Sequence, residues 1–216
     1  MNRNNYRYDN GICIDGENLY FQSDFGEVSI RYLNRIKETI DYSLNQYPRT
    51  CIMRFDLRYP YDYSVDKVNS NQITKFQESL KAMITADLKR RNIKRHSFTR
   101  FIWCKEIYSS DVPHYHMAIL VNGDVFKGIG PYANDERKYM SGKIIRAWAS
   151  AIGVSPCRTT HVIHYPTNAV YVINKRKGEE FFNEQYKSVF YRLSYFAKLK
   201  TKDYGNKKKN FGSSRK

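Results

Sequence analysis

Cysteine is scarce in this sequence, and none of it is arranged for metal binding or obvious disulfide pairing. The four cysteines are widely scattered and form no CxxC pair. No secretory signal precedes the first predicted element, and no apolar stretch approaches the roughly 18 residues of a membrane span. We therefore expect reduced thiols in a cytoplasmic protein that has no membrane partner.

Acidic residues are also few, since 21 Asp and Glu face 37 Lys and Arg and the formal charge is +16. The segment from Lys198 to Lys216 holds eight basic residues and one acid, a net +7, which leaves +9 on residues 1–197. A basic body with a basic tail indicates a polyanionic partner. The 19 tyrosines, interleaved with cations, suit single-stranded nucleic acid, whose exposed bases stack on aromatic rings.

Apolar periodicity is missing near both ends of the chain, which predicts one domain over residues 28–202. Residues 1–27 are polar and aperiodic, and we expect a flexible segment there. Within it, residues 17–23 (ENLYFQS) are identical to a protease cleavage sequence widely used to remove purification tags. They are either an engineering scar or natural sequence, since no affinity tag precedes them, and we leave them out of the fold prediction. Residues 203–216 are expected to form a basic flexible tail.

The central part of the chain alternates between helical and strand patterns. Apolar residues at helical spacing predict helices over residues 28–46, 70–91, 137–152 and 178–201. Alternating or short apolar runs predict strands over residues 51–58, 98–107, 114–121 and 160–173. The predicted fold class is α+β, with a central antiparallel sheet and helices packed on one face.

His114 and His116 flank one residue at the start of a predicted strand. Side chains alternate across a strand, so both imidazoles point to the same face and form half of a divalent-metal site. The preceding strand forms a hairpin with this one. If paired residue numbers sum to 220 or 222, Glu106 lies opposite one histidine and completes a metal-binding set with open positions. A sum of 221 would not place it directly opposite either histidine.

A second polar group lies on the last predicted helix, where Tyr191, Tyr195 and Lys198 share one face at i, i+4 and i+7. A phenol titrates near ~10 and is a poor nucleophile at pH 7 unless a cation stabilises the phenolate. The combined groups suggest a metal that polarises a phosphodiester, Tyr195 attacking phosphorus, and Lys198 supporting the developing charge. The competing interpretation is two core tyrosines, with the lysine extending to solvent.

Three motifs, FDLRYP, PHYHMAIL and SYFAK, occur in this order along the chain. Together they resemble the HUH endonucleases, and most closely the inovirus (filamentous phage) gene II replication protein family and its prophage relatives, over about residues 28–214. The resemblance implies an HUH/Rep-like sheet of RRM-like topology and initiation of rolling-circle replication of phage or plasmid DNA. It implies strand-specific nicking and joining, a 5′-phosphotyrosine intermediate and a free 3′-OH.

The same resemblance implies Mg²⁺ or Mn²⁺ as cofactor and single-stranded or origin DNA as partner, in the cytoplasm of a bacterial host that supplies helicase and polymerase. It implies His114 and His116 as ligands with Glu106 as the third, and Tyr195 as nucleophile with Lys198 as its helper. Tyr191 would correspond to the second tyrosine of two-tyrosine initiators, which rejoins the ends.

Basic residues on the first central strand and at the end of the second predicted helix are the expected DNA contacts. A helix C-terminus favours cations, but this accounts for about two of the five in the helix cluster. The expected DNA-binding residues are Arg54, Arg58, Lys89, Arg90, Arg91, Lys94 and Arg95.

Several alternatives remain open at this point. His161 or His164 could replace Glu106 as third ligand, and Tyr171 with Lys175 resembles a second nucleophile pair. Asp56 lies on the charged strand face, near DNA or in a salt bridge. A non-catalytic nucleic-acid-binding prophage regulator would share the charge and the aromatics but would not need the whole site. A two-histidine phosphoesterase would need two His-x-Ser/Thr motifs, which the sequence lacks.

Overall fold

The computed structural model describes residues 6–8, 10–24, 26–95, 97–107, 112–200, 202 and 209–215. The helices are α1 (Ile30–Gln46), α2 (Asn71–Arg90), α3 (Met140–Ile152) and α4 (Glu179–Ser194). The strands are β1 (Tyr6–Tyr8), β2 (Gly11–Ile14), β3 (Glu17–Tyr20), β4 (Arg49–Leu57), β5 (Arg100–Glu106), β6 (His114–Asn122), β7 (Ile163–His164), β8 (Val170–Asn174) and β9 (Phe211–Ser213). Short 3-10 turns cover Val65–Lys67, Pro156–Arg158, Lys175–Lys177 and Tyr195–Ala197.

The central sheet has six antiparallel strands. Its order is β7–β4–β6–β5–β9, and β8 pairs with the same edge of β4 as β7 does. The chain turns between β7 and β8, where Asn168 has a φ of 55°. The Arg54 backbone N–H bridges this break by donating to the Ala169 carbonyl at 2.7 Å. The turn therefore leaves β4 hydrogen-bonded on both sides.

Strand β4 shows how one sheet supports two cores. Met53 and Phe55 point to the face covered by α2 and α3, which we call the α2/α3 face. Ile52 points to the opposite face, which is covered by α1, α4 and strands β2 and β3 and which we call the α1/α4 face. Successive side chains alternate between the faces, so Arg54 and Asp56 lie on the α1/α4 side.

The predicted α+β class with a central antiparallel sheet is confirmed, and helices pack against the sheet on both of its faces instead of one. Helix α1 follows the predicted spacing, with Leu33, Ile36, Ile40 and Leu44 buried and the Ser29 hydroxyl accepting from the Tyr32 N–H at its start. Helix α3 ends at Gly153, whose φ of 75° is the left-handed conformation that closes a helix. The second helical layer arises because both faces of the sheet carry buried apolar residues, among them Ile52, Ile102 and Leu120 on the α1/α4 face.

The expectation of a flexible segment over residues 1–27 is wrong for the part that the structure describes. Strands β2 and β3 form an antiparallel hairpin that buries Ile12, Ile14, Leu19 and Phe21 against α1 and α4. Residues 17–23, left out of the fold prediction, are therefore part of the fold. Each strand has only four residues, which is too short for the alternation to stand out from the polar residues around it. Residues 1–5, 9 and 25 lie outside the described part.

The expected flexible tail over residues 203–216 is also corrected in part. Strand β9 pairs with β5, and its Phe211 ring stacks on Tyr32 with centroids 4.3 Å apart. Gly212 passes so close to Trp103 that a Cβ there would lie 2.4 Å from the indole nitrogen, which explains why a glycine stands at this position. Residues 203–208 and 216 lie outside the described part of the chain.

Two other expectations can be compared with the structure. The last helix, predicted over residues 178–201, ends at Ser194 and continues as a 3-10 turn, Tyr195–Ala197. The four cysteines are free, as expected, and three of them are buried. Among the described residues, no helix combines the length and the apolar character needed to cross a membrane.

Candidate metal and nucleophile site

The β5–β6 hairpin sets the pairing that the sequence left open. Glu106 lies opposite His114 and Cys104 opposite His116, so paired residue numbers sum to 220. This is one of the two registers that place Glu106 on the histidine face. Both histidines and Glu106 therefore project to the α1/α4 side, at the end of the sheet where the hairpin turns.

Three ligand atoms converge at this end of the sheet. The Nε2 atoms of His114 and His116 are 3.2 Å apart, and Glu106 Oε2 lies 3.1 Å from His116 Nε2 and 3.6 Å from His114 Nε2. Glu106 and His116 are buried, and His114 is partly exposed. The exposed side of the triangle is that of His114, so a ligand would enter from there.

The donor set fits a divalent cation. Donors about 2.1 Å from a metal on adjacent octahedral corners are about 3.0 Å apart, close to the three separations found here. Two imidazoles and one carboxylate on one triangular face leave the other coordination positions open for water or substrate oxygen. Imidazole nitrogen is a poor ligand for Mg²⁺, which prefers oxygen donors.

Asp56 holds His116 in the orientation that a ligand needs. Its Oδ1 lies 2.7 Å from His116 Nδ1, across the β4–β6 pair in which Asp56 and His116 are directly opposite. A carboxylate accepts the Nδ1 proton and leaves the Nε2 lone pair directed at the convergence point, as in many metal-bound histidines. The other oxygen, Oδ2, lies 3.1 Å from His164 Nδ1.

The buried ionisable groups of the site shift one another's pKa values. Burial alone would raise the pKa of Glu106, but hydrogen bonds with His114 and His116 hold this pKa far below its usual range. Burial alone would lower the pKa of His116, but its hydrogen bonds with Asp56 and Glu106 raise this pKa on balance. A proton on His116 Nε2 would therefore compete with a cation for the same position.

Tyr195 and Lys198 complete the site from the segment after α4. In a 3-10 turn, residues i and i+3 lie one above the other, and here the Lys198 Nζ donates to the Tyr195 hydroxyl at 2.5 Å. The backbone that follows pairs with residues 27–29, which fixes the end of the turn. The Tyr195 ring also contacts the His116 ring edge-on, with centroids 5.1 Å apart.

Lys198 links the tyrosine to the metal-binding group. Its Nζ lies 3.1 Å from Glu106 Oε1, and the side chain is only 9% exposed. Burial raises the pKa of the Tyr195 phenol, and the hydrogen bond from Lys198 opposes that rise. Burial would lower the pKa of Lys198, but Tyr195 and Glu106 raise it on balance, so the lysine stays a cation beside the phenol.

Tyr191 does not share the environment of Tyr195. Its side chain is 43% exposed, and its backbone carbonyl accepts hydrogen bonds from Gln22 and Ser194. Helix α4 ends at Ser194 and a 3-10 turn begins at Tyr195. Tyr191 and Tyr195 therefore do not lie on one face of a continuous α-helix, the arrangement that the sequence predicted. The described contacts thus bring Tyr195 and Lys198, but not Tyr191, to the histidines.

The alternative ligands and nucleophile lie elsewhere. His164 is 52% exposed on its side chain and contacts Asp56, while His161 is exposed and outside the described metal-binding group. Tyr171 pairs with Ile52 on β4. Ile52 lies four residues along the strand from Asp56, a distance of about 13 Å. The geometry favours Glu106 as third ligand and Tyr195 as the tyrosine of the site.

The expected DNA-binding residues divide into three environments. Arg54 was expected at an accessible sheet surface, but it is 5% exposed, with its guanidinium carbon 5.1 Å from the Tyr195 ring centroid. Arg58 is exposed just after β4. The five basic residues at and beyond the end of α2 are exposed in the layer on the opposite face of the sheet from the site; they are Lys89, Arg90, Arg91, Lys94 and Arg95.

Two residues of the site were missed as participants. The sequence placed Asp56 on a charged face, but β4 and β6 are far apart along the chain and no local pattern gives their register, so its contact with His116 was not visible. Lys202 was counted with the basic end of the chain, but it is buried and its Nζ donates to the Lys198 carbonyl at 2.5 Å. Burial lowers the pKa of Lys202.

Comparisons with known proteins give relatives along almost the whole chain. The family model of the YagK/YfjJ C-terminal domain matches residues 14–214, a range that includes residues 17–23. The uncharacterized protein YfjJ of Escherichia coli (strain K12) is 31% identical over 213 residues, which cover 91% of this chain and all of the relative. The uncharacterized protein YagK of the same organism is 29% identical over 205 residues, covering 90% of this chain and 97% of the relative. No solved structure matches the chain significantly.

Proposed function

The chain belongs to the YagK/YfjJ C-terminal domain family, and we propose that it is a metal-dependent DNA-nicking and joining enzyme of the HUH type. The observation that carries the proposal is the contact of Lys198 with both Tyr195 and Glu106. This contact makes the tyrosine and the His114–His116–Glu106 group one continuous polar centre. The motifs shared with rolling-circle initiators support the same activity, with phage, prophage or plasmid DNA as the substrate class.

The residues divide the reaction between them. A Mn²⁺ or Mg²⁺ ion held by His114, His116 and Glu106 would withdraw charge from a phosphodiester oxygen. The Tyr195 oxygen forms a bond to phosphorus while the bond from phosphorus to the 3′ oxygen breaks. The phenol proton ends on the 3′ oxygen, so the products are a 5′-phosphotyrosine and a free 3′-OH. Lys198 donates to the phenolic oxygen as it loses its proton.

Covalent capture from a random pool tests the proposal whatever the cleavage sequence is. The full-length protein with Mn²⁺ is incubated with single-stranded oligonucleotides that carry a randomised stretch, and adducts are separated on denaturing gels and sequenced. We expect one enriched junction in the adducts. Tyr195→Phe should abolish the adduct, whereas Tyr61→Phe, which alters a fully exposed tyrosine, should retain it.

Two outcomes would contradict the proposal. An adduct of normal yield in Tyr195→Phe would move the nucleophile to another tyrosine. DNA binding without any adduct, in wild-type protein loaded with Mn²⁺, would favour the non-catalytic prophage regulator over the enzyme.

A further inference from the structure

Among the residues that the structure describes, the interior beside the site holds more buried cations than buried carboxylates. Arg54, Lys198 and Lys202 are buried cations there, whereas Asp56 and Glu106 are the buried carboxylates. Both carboxylates are already used by histidines, and Glu106 also pairs with Lys198. Buried charges are usually paired because desolvation is costly. An excess of buried cations therefore indicates an anion that binds in the functional state.

Arg54 is the buried cation with the fewest partners. Its guanidinium carbon lies over the Tyr195 and Phe196 rings, 5.1 and 5.2 Å from their centroids. Its Nε is buried and donates no hydrogen bond to any residue that the structure describes. An aromatic ring attracts the guanidinium charge but offers no oxygen acceptor, so these contacts leave the Nε–H group for an acceptor from a ligand.

Arg192 supplies a second guanidinium beside the first. It lies in the last turn of α4, one helical turn before the Tyr195–Ala197 segment, and its Nε is likewise buried without a described partner. Its nearest described acceptor is the Thr167 carbonyl, at 3.5 Å from Nη2. Both arginines contact the turn between β7 and β8, because the Arg54 backbone N–H donates to the Ala169 carbonyl and Arg192 Nη2 donates to the Thr167 carbonyl. In agreement with this placement, burial lowers the pKa of Arg54 and the charge of Arg192 lowers it further.

We propose that Arg54 and Arg192 form a phosphate subsite that holds a neighbouring phosphate of the DNA strand while Tyr195 attacks the scissile one. Two guanidinium groups recognise phosphate through paired N–H donors. Both arginines contact the turn between β7 and β8, so we expect the bound strand to run from the metal-binding group toward this turn. This assignment rests on the proposed function for the identity of the anion as DNA.

Arginine side-chain NMR can test the subsite directly with inorganic phosphate as the probe. In the full-length protein, the Nε–H signals of Arg54 and Arg192 should shift together along one binding curve. The signal of Arg158, which is paired with Asp62, should not follow it. Arg192→Gln should weaken the phosphate-induced shift at Arg54. Absence of a shift at Arg54 and Arg192, or one equal shift in all arginines, would overturn the subsite.

Salt dependence of DNA binding gives a second measurement. With a labelled single-stranded oligonucleotide, Arg192→Gln should reduce the slope of log K against log salt by about 0.7, the value for one phosphate contact on a single strand. Arg158→Gln removes the same charge outside the site and should leave the slope unchanged. Equal slopes in both variants would contradict the subsite even if wild-type protein forms the covalent adduct. A reduced slope without any adduct would keep the subsite and contradict the nicking activity.

Discussion

The two faces of the sheet use the same strands for different purposes. On the α2/α3 face, the rings of Phe55, Phe76 and Trp148 pack edge to face, and the buried charges of Asp87 and Lys143 pair with each other. On the α1/α4 face, Asp56 and Glu106 are buried among apolar residues and pair with histidines and Lys198, and the buried Arg54 lies against the Tyr195 and Phe196 rings. Alternation places these sets only one residue apart along β4. The comparison suggests that the first face stabilises the fold and that the second carries a chemical site at some energetic cost.

The largest effect on stability should come from truncating a side chain in the core on the α2/α3 face. Phe76→Ala removes a fully buried ring that contacts Phe55 and Trp148, and we expect a loss of about 3–5 kcal/mol in the free energy of unfolding. Urea denaturation followed by tryptophan fluorescence measures it. At a temperature where the variant is folded, its affinity for Mn²⁺ should equal that of the wild type. A parallel loss of Mn²⁺ affinity would show that the two faces are not independent.

A substitution on the α1/α4 face should instead lower the affinity for metal. Asp56→Asn keeps the side-chain volume but replaces the carboxylate that accepts the His116 Nδ1 proton at 2.7 Å. We expect Mn²⁺ affinity to fall by about 10–100-fold, since outer ligand contacts contribute on this scale. Isothermal titration calorimetry gives the affinity. The control is Asp62→Asn, which changes an exposed carboxylate paired with Arg158 and should leave Mn²⁺ affinity intact.

The pH dependence of metal binding tests the site on the α1/α4 face further. Hydrogen bonds with Asp56 and Glu106 raise the pKa of His116 against the effect of burial, so a proton competes with the cation at Nε2. Mn²⁺ affinity should increase as pH rises toward this raised pKa, by about tenfold per unit for one displaced proton, and should level off above it. The Glu106 carboxylate, whose pKa is far below its usual range, should not add a second step near neutrality. A flat profile between about pH 5 and 8 would contradict His116 as a ligand.

Features that depend on residues close together in the sequence could be predicted, whereas those that depend on distant residues could not. The helical spacing of α1 and the alternation of β4 are local patterns, and both were predicted. Glu106 was found because a short hairpin allows few registers, and two of the three considered put it on the histidine face. The Asp56–His116 contact depends on the pairing of β4 with β6, which no local pattern fixes. The β2–β3 hairpin was missed because its strands are too short to show a period.

The smallest effect is expected at Tyr191. Its side chain is 43% exposed, and the described contacts link Tyr195 instead to Lys198 and His116. Tyr191→Phe should therefore change the yield of the first covalent adduct by no more than about twofold, because loss of one exposed hydroxyl removes no contact in the site. Quantitative denaturing gels with Mn²⁺ compare it with Tyr195→Phe. A large loss in Tyr191→Phe would mean that α4 lengthens on DNA binding and brings this tyrosine to the histidines. The difference between Tyr191 and Tyr195 would then hold only for the protein without DNA.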